Sequence, residues 1–101
     1  MIVMLSVRRL KPGSWDEFRE AWDPGDESQR PPGLERVIHG RNVRDEDEVV
    51  SFGIFDMTEE EYSRWRTEHD SGERDRQEAM APFVESESVS GVYEAFEVIE
   101  D

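Results

Sequence analysis

The sequence predicts a ferredoxin-like α+β domain, β-α-β-β-α-β with a four-stranded antiparallel sheet, occupying residues 1–101 as one unit. Three observations lead there. Strand-like runs alternate with helical stripes, and Gly-, Pro- or acid-rich segments separate them. Two helix starts carry capping-box spacing. The strands are apolar on both faces, where an antiparallel sheet covered on one side would alternate apolar and polar residues.

Ile2 to Leu10 is β-branched and aliphatic and stops at Lys11-Pro12-Gly13, a strand followed by a turn. Ser14-Trp15-Asp16-Glu17 reads as a capping box, and Trp15, Phe18 and Trp22 follow at i, i+3, i+7 on one helical face. Asp23-Pro24-Gly25 ends that helix and opens the one long loop, Asp23 to Gly33, with three prolines and two glycines. Leu34 to Arg44 and Glu48 to Met57 are extended segments around Asp45-Glu46-Asp47, a connection of hairpin length. Thr58-Glu59-Glu60-Glu61 is a second capping box with its acids at a helix N-terminus, and Tyr62, Trp65 and His69 share the face that follows. Ser71-Gly72 is expected to break this helix. A further helical stretch runs to about Val84, with Pro82 kinking or ending it. After the polar Glu85-Ser86-Glu87-Ser88, Val89 to Glu100 forms the last strand.

In this order the helices cover one sheet face only. A 101-residue chain has no elements left for the other face, so a second copy is expected to cover it, the two sheets stacked as a homodimer.

There are 26 acidic and 12 basic side chains, a formal net charge of −14. Phosphates would be repelled, so a nucleic-acid partner is not expected. The acid excess reads as a solubility or high-salt adaptation of the surface. No cysteine is present, which removes disulfides, thiolate metal sites and cysteine nucleophiles. Arginines follow the N-terminal apolar run, the wrong order for a secretory signal, and no run of 18 uncharged apolar residues occurs. A cytoplasmic protein without a membrane partner is expected.

The short apolar strand running through Lys11-Pro12-Gly13 into Trp15-Asp16-Glu17-Phe18 resembles the opening of the antibiotic biosynthesis monooxygenase family. Pro32-Gly33-Leu34, the Val50 to Met57 strand leading into an acidic helix start, and Met80-Ala81-Pro82-Phe83 before a strand with Tyr93-Glu94 are similar to that family too. The resemblance implies a dimeric α+β barrel. It also implies a cofactor-independent monooxygenase acting on a small aromatic or hydrophobic substrate. The alternative is a non-catalytic dimeric barrel that binds a small hydrophobic ligand or serves as a stress or accessory protein. The haem-degrading branch of the family uses a first-strand Asn with a Trp and a His on the second helical region. Here Ser6 takes the Asn position and the Trp and His spacing is not reproduced, so haem degradation is not expected. A histidine early in the second helix is also common in the family. His69 fills that place if residues are inserted upstream, and Arg64 otherwise.

Tyr62, Trp65 and His69 are the first candidate site. His69 would act as base in an apolar pocket, forming an electron-rich anion that meets dioxygen; the plain alternative makes Tyr62 and Trp65 core and His69 a helix end. His39, on the second strand among Val37, Arg41 and Val43, is the second candidate for a catalytic or ligand contact. Ser6, Arg8 and Arg41 are candidate polar groups for a substrate, the arginines because an anionic intermediate needs compensating charge. The run from Asp45 to Glu48 lacks calcium-loop spacing. Two distant histidines without cysteine indicate no transition-metal site, and no cofactor is expected.

Overall fold

A computed structural model describes residues 1–23, 25 and 30–101. Part of the Asp23 to Gly33 loop therefore lies outside the described residues. The elements are β1 (Ile2–Leu10), α1 (Trp15–Trp22), β2 (Leu34–Asn42), β3 (Asp45–Phe55), α2 (Glu59–Glu68), α3 (Asp70–Met80), a 3₁₀ turn (Ala81–Phe83) and β4 (Val84–Glu94). All strand pairs are antiparallel in the order β2-β3-β1-β4, a ferredoxin-like sheet.

The helices pack on the sheet face formed by Ile2, Met4, Ser6, Arg8 and Leu10 of β1 with Val49, Ser51, Gly53 and Phe55 of β3. The core there is split. Ile2, Phe55, Met57 and Tyr62 gather with Met4, Leu34 and Trp65. Leu10, Phe18, Val49 and Met80 gather with Trp15, Ala21 and Trp22. Between the two clusters a polar row crosses all four strands, His39 beside Ser51, Ser51 beside Ser6, and Ser6 beside Ser90. The opposite face presents Val3, Leu5, Val7, Val50, Phe52 and Ile54, all half-buried, flanked by the exposed Ile38 and Tyr93. Both faces are apolar as expected, and among the described residues no element covers the second.

Five local expectations are corrected. The hairpin turns at Val43-Arg44, because the Asn42 Oδ1 accepts from the Arg44 N–H at 2.9 Å and closes the chain two residues early. Asp45 therefore begins β3 and pairs with Arg9. Ser71-Gly72 lies inside the first turn of α3, where N–H groups need no intrahelical partner, and the break falls at His69 (φ −114°, ψ 22°). Ser14 precedes α1 without a side-chain cap, whereas the Thr58 box is complete, with both bonds at 3.1 Å. The polar run at 85–88 is strand, tolerable because β4 is a sheet edge open to water. β4 ends at Glu94 instead of Glu100, opposite Ile2, the first residue of β1. The last rung runs from the Ala95 N–H to the Met1 carbonyl at 3.1 Å.

Gly33 is needed for close approach. The Asp56 N–H donates to its carbonyl at 2.7 Å, and a Cβ there would sit 2.6 Å from the Asp56 oxygen. This contact sets where the long loop returns to the sheet.

Candidate functional site

Splitting the core leaves a cavity of about 660 Å³ between the helices and the sheet. This is large enough for a ligand of two or three fused rings. Met4, Leu34, Val37 and Phe55 form its floor, Tyr62 and Trp65 one wall, and Trp22 and His39 another. The Phe55 ring folds over Gly53, where a Cβ would come within 2.9 Å of it. Charged side chains of α1, α3 and the loop also contribute to the lining. Arg30 pairs with Asp23 at 2.8 Å. Arg76 grips Glu73 through two bonds of 2.7 and 2.9 Å and donates to the Trp22 carbonyl at 3.0 Å, capping α1 from α3. Burial raises the Glu73 carboxyl, but the Arg76 hydrogen bonds and charge, with Gln77 and Arg66, hold it below its ordinary value.

His39 reaches the cavity because β2 places it on the helix face opposite Ser51. Its Nδ1 lies 2.8 Å from the Ser51 Oγ. The ring stands edge-on to Trp22 (4.6 Å between centres) and Trp15 (5.5 Å), so the two tryptophans of one helical stripe flank it. Nε2 is buried without a hydrogen-bond partner. Burial, then the charges of Arg19 and Arg8, lower its pKa against the pull of Asp23, so the ring is held neutral.

Tyr62 is buried in α2 and gives its hydroxyl proton to the Met4 sulfur at 3.4 Å, a weak acceptor. Burial raises its pKa, opposed by Arg66. Among the described residues no group of three or more His, Asp or Glu is arranged to hold a metal ion, and no helix is long and apolar enough to cross a membrane.

No family model and no curated protein matches the sequence. Solved structures do. SnoaB, a cofactor-independent oxygenase of Streptomyces nogalater, superposes with a TM-score of 0.73 at 14% identity over 99% of this chain and 97% of its own. A provisionally assigned antibiotic biosynthesis monooxygenase of Chloroflexus aurantiacus gives 0.70 at 14% identity, covering 98% and 96%. The fold is that of the antibiotic biosynthesis monooxygenases. An uncharacterized NIPSNAP domain protein of Burkholderia xenovorans gives 0.66 at 15% identity over both whole chains, so the monooxygenase fold also serves proteins with other names.

Within this monooxygenase fold the structure brings Tyr62, Trp65 and His39 together in one lining. It does not bring His69 there. His69 stacks on the outer side of the same aromatic run, 4.5 Å from Trp65, with its Nδ1 at 2.9 Å from the Trp65 carbonyl oxygen. Ser6 is buried in the polar row beside Ser51 and is not part of the lining. Arg8 is buried under α1, its Nε 2.8 Å from Glu87 and its guanidinium 5.5 Å from the Phe18 ring centre. Arg41 is exposed and borders a separate pocket of about 140 Å³ with Trp15 and Asp47. Arg64 is exposed and lies 3.6 Å from Glu60. Sequence reasoning missed Phe55, Arg76 and Glu73 as site residues. The Trp15-Phe18-Trp22 stripe could have signalled the Trp22 wall, but nothing local marks Arg76.

Proposed function

We propose that the protein is a cofactor-independent monooxygenase acting on a small, neutral aromatic substrate in a cavity within each subunit. The observation that supports this reading is an apolar cavity of about 660 Å³, containing a neutral imidazole with one unsatisfied nitrogen, in a fold shared with SnoaB. In this reaction a ring methylene made acidic by a neighbouring carbonyl gives one proton to water, and the carbanion and dioxygen, reprotonated, form a hydroperoxide. Loss of water from the hydroperoxide, taking the second hydrogen of that carbon, leaves a carbonyl there. A dry aromatic enclosure protects the anion from reprotonation. The open apolar face of the sheet favours a homodimer with the two sheets stacked, and the reading places it in the cytoplasm.

One observation favours a second reading, a non-catalytic barrel that holds a small hydrophobic ligand. Of the three lining carboxylates, Asp23 and Glu73 are held by arginines and Asp75 is exposed, which leaves no free base buried in the cavity among them. Oxygen consumption with a panel of anthrones and quinols separates the two. Uptake with at least one compound is expected. A flat trace with all of them, alongside tight binding of any, would leave the binding protein.

A further inference from the structure

Of the four methionines, only Met4 borders the cavity. Met57 and Met80 are 7% and 1% exposed and belong to the two core clusters, while Met1 is 46% exposed at the chain end. Met4 stands on the cavity floor, half-buried, between Gly53 of β3 and Val92 of β4. Its Sδ accepts from the Tyr62 O–H at 3.4 Å, and Tyr62 lines the same cavity. A thioether sulfur carries two lone pairs. The Tyr62 hydroxyl engages one, and the other stays nucleophilic. Hydrogen peroxide is little larger than water, so a cavity open to an aromatic ligand is open to it.

We propose that Met4 is a peroxide-sensitive modification site, whose oxidation to the sulfoxide lowers the affinity of the cavity for an apolar aromatic. The sulfur lone pair attacks one oxygen of hydrogen peroxide, the O–O bond breaks and an S–O bond forms. Sulfur gives up two electrons, and the second oxygen leaves as water with both hydrogens. The product sets a polar oxygen where an apolar thioether stood. That oxygen is a stronger acceptor than the sulfur, so the Tyr62 O–H, now given to a weak acceptor, gains a better one beside it. An apolar ligand would have to cover the new oxygen and strip water from it, which weakens binding. On the oxygenase reading, a substrate hydroperoxide that passes its outer oxygen to the same sulfur leaves as the alcohol and silences its own site. That source of oxidant rests on the proposed function, whereas hydrogen peroxide does not.

The tests supply hydrogen peroxide from outside and need no turnover. After a brief exposure, fragment-ion mass spectrometry is expected to place an added oxygen on Met1 and Met4 and none on Met57 or Met80. Saturation beforehand with 9-fluorenone, a neutral aromatic probe followed by tryptophan quenching, is expected to slow oxidation of Met4 about tenfold and leave Met1 unchanged. Oxidation of Met4 no faster than that of Met80, or undiminished by the probe, would overturn the proposal. The oxidised protein is expected to bind the probe about tenfold more weakly. Met4→Leu keeps the apolar volume without the sulfur and is expected to hold its affinity through the same treatment. An equal loss of affinity in Met4→Leu would trace the effect to another residue and defeat the proposal. A flat oxygen trace with selective oxidation of Met4 intact would instead defeat only the oxygenase reading.

Discussion

Arg76 is the side chain whose loss should tell most about how α1 and α3 are held over the cavity. It makes two charge-assisted bonds to Glu73, one bond to the Trp22 carbonyl, and lies 5.3 Å from the Trp22 ring centre. Its side chain and that of Glu73 are each about one-fifth exposed, 20% and 19%. Breaking a fully buried pair by removing one partner costs about 3–5 kcal/mol. Partial solvent contact screens some of that, so Arg76→Met is expected to cost about 2–3 kcal/mol, with a fall in Tm of roughly 10–20 °C. Most of this loss is the stranded carboxylate. The double variant Glu73→Gln/Arg76→Met should therefore cost only about 1 kcal/mol.

The sign of the pH dependence provides a second reading. In the native protein the Glu73 carboxyl lies below its ordinary value, so its contribution is present above about pH 4.3 and is lost as pH falls through the lower folded value. Without Arg76, burial is the leading influence and raises the folded value. The single variant should then be favoured below about pH 4.3 and lose stability as pH rises through the raised value. Urea denaturation from pH 3.5 to 8 measures both effects. A double variant at least as unstable as the single one, or a single variant that keeps the native acid-side slope, would refute the reasoning.

The caps should differ sharply: Thr58→Ala is expected to cost about 1 kcal/mol, and Ser14→Ala less than about 0.5 kcal/mol, in the same urea assay. Gly53→Ala should push the Phe55 ring into the cavity, weakening fluorenone binding and costing about 1–3 kcal/mol. Phe52→Glu on the uncovered face should leave the circular dichroism unchanged and shift sedimentation at micromolar concentration from dimer to monomer; an unchanged mass would remove the stacked dimer. His69→Ala should lower stability by about 1 kcal/mol through lost stacking on Trp65. It should leave fluorenone affinity within about twofold, because His69 lies outside the lining.

Where a signal is local, the sequence was sufficient. β1 was legible to its last residue because the Lys11-Pro12-Gly13 stop is chemical, and the Thr58 box because its two bonds close within four residues. Ser14 shows the limit of such motifs, since the same spacing occurs without the cap. The acidic run at 45–47 has the composition of a hairpin tip, but the Asn42 side chain closes the turn two residues earlier. β4 was displaced because a polar run resembles a loop until its position at the sheet edge is known. The site divides in the same way. Tyr62 and Trp65 are visible at i, i+3, but the weight of His39 depends on Trp15 and Trp22, brought over it from about twenty residues away by α1 packing.

The acid excess and the cavity constrain the ligand together. The chain carries 26 acids against 12 bases, yet the charged lining is balanced, Arg19, Arg30 and Arg76 against Asp23, Glu73 and Asp75. An anionic aromatic would approach a repelling surface and find the arginines Arg30 and Arg76 already paired. A neutral one pays neither cost and gains the apolar floor. On the proposed reading the substrate therefore arrives uncharged, and the proton leaves its ring carbon only after binding. Negative charge then develops on the carbonyl oxygen as the enolate forms. A donor already pointed at that oxygen becomes stronger in the transition state than in the ground state, which is the condition for it to accelerate the step. Protonation of His39 would not supply such a donor, because burial and the charges of Arg19 and Arg8 oppose it.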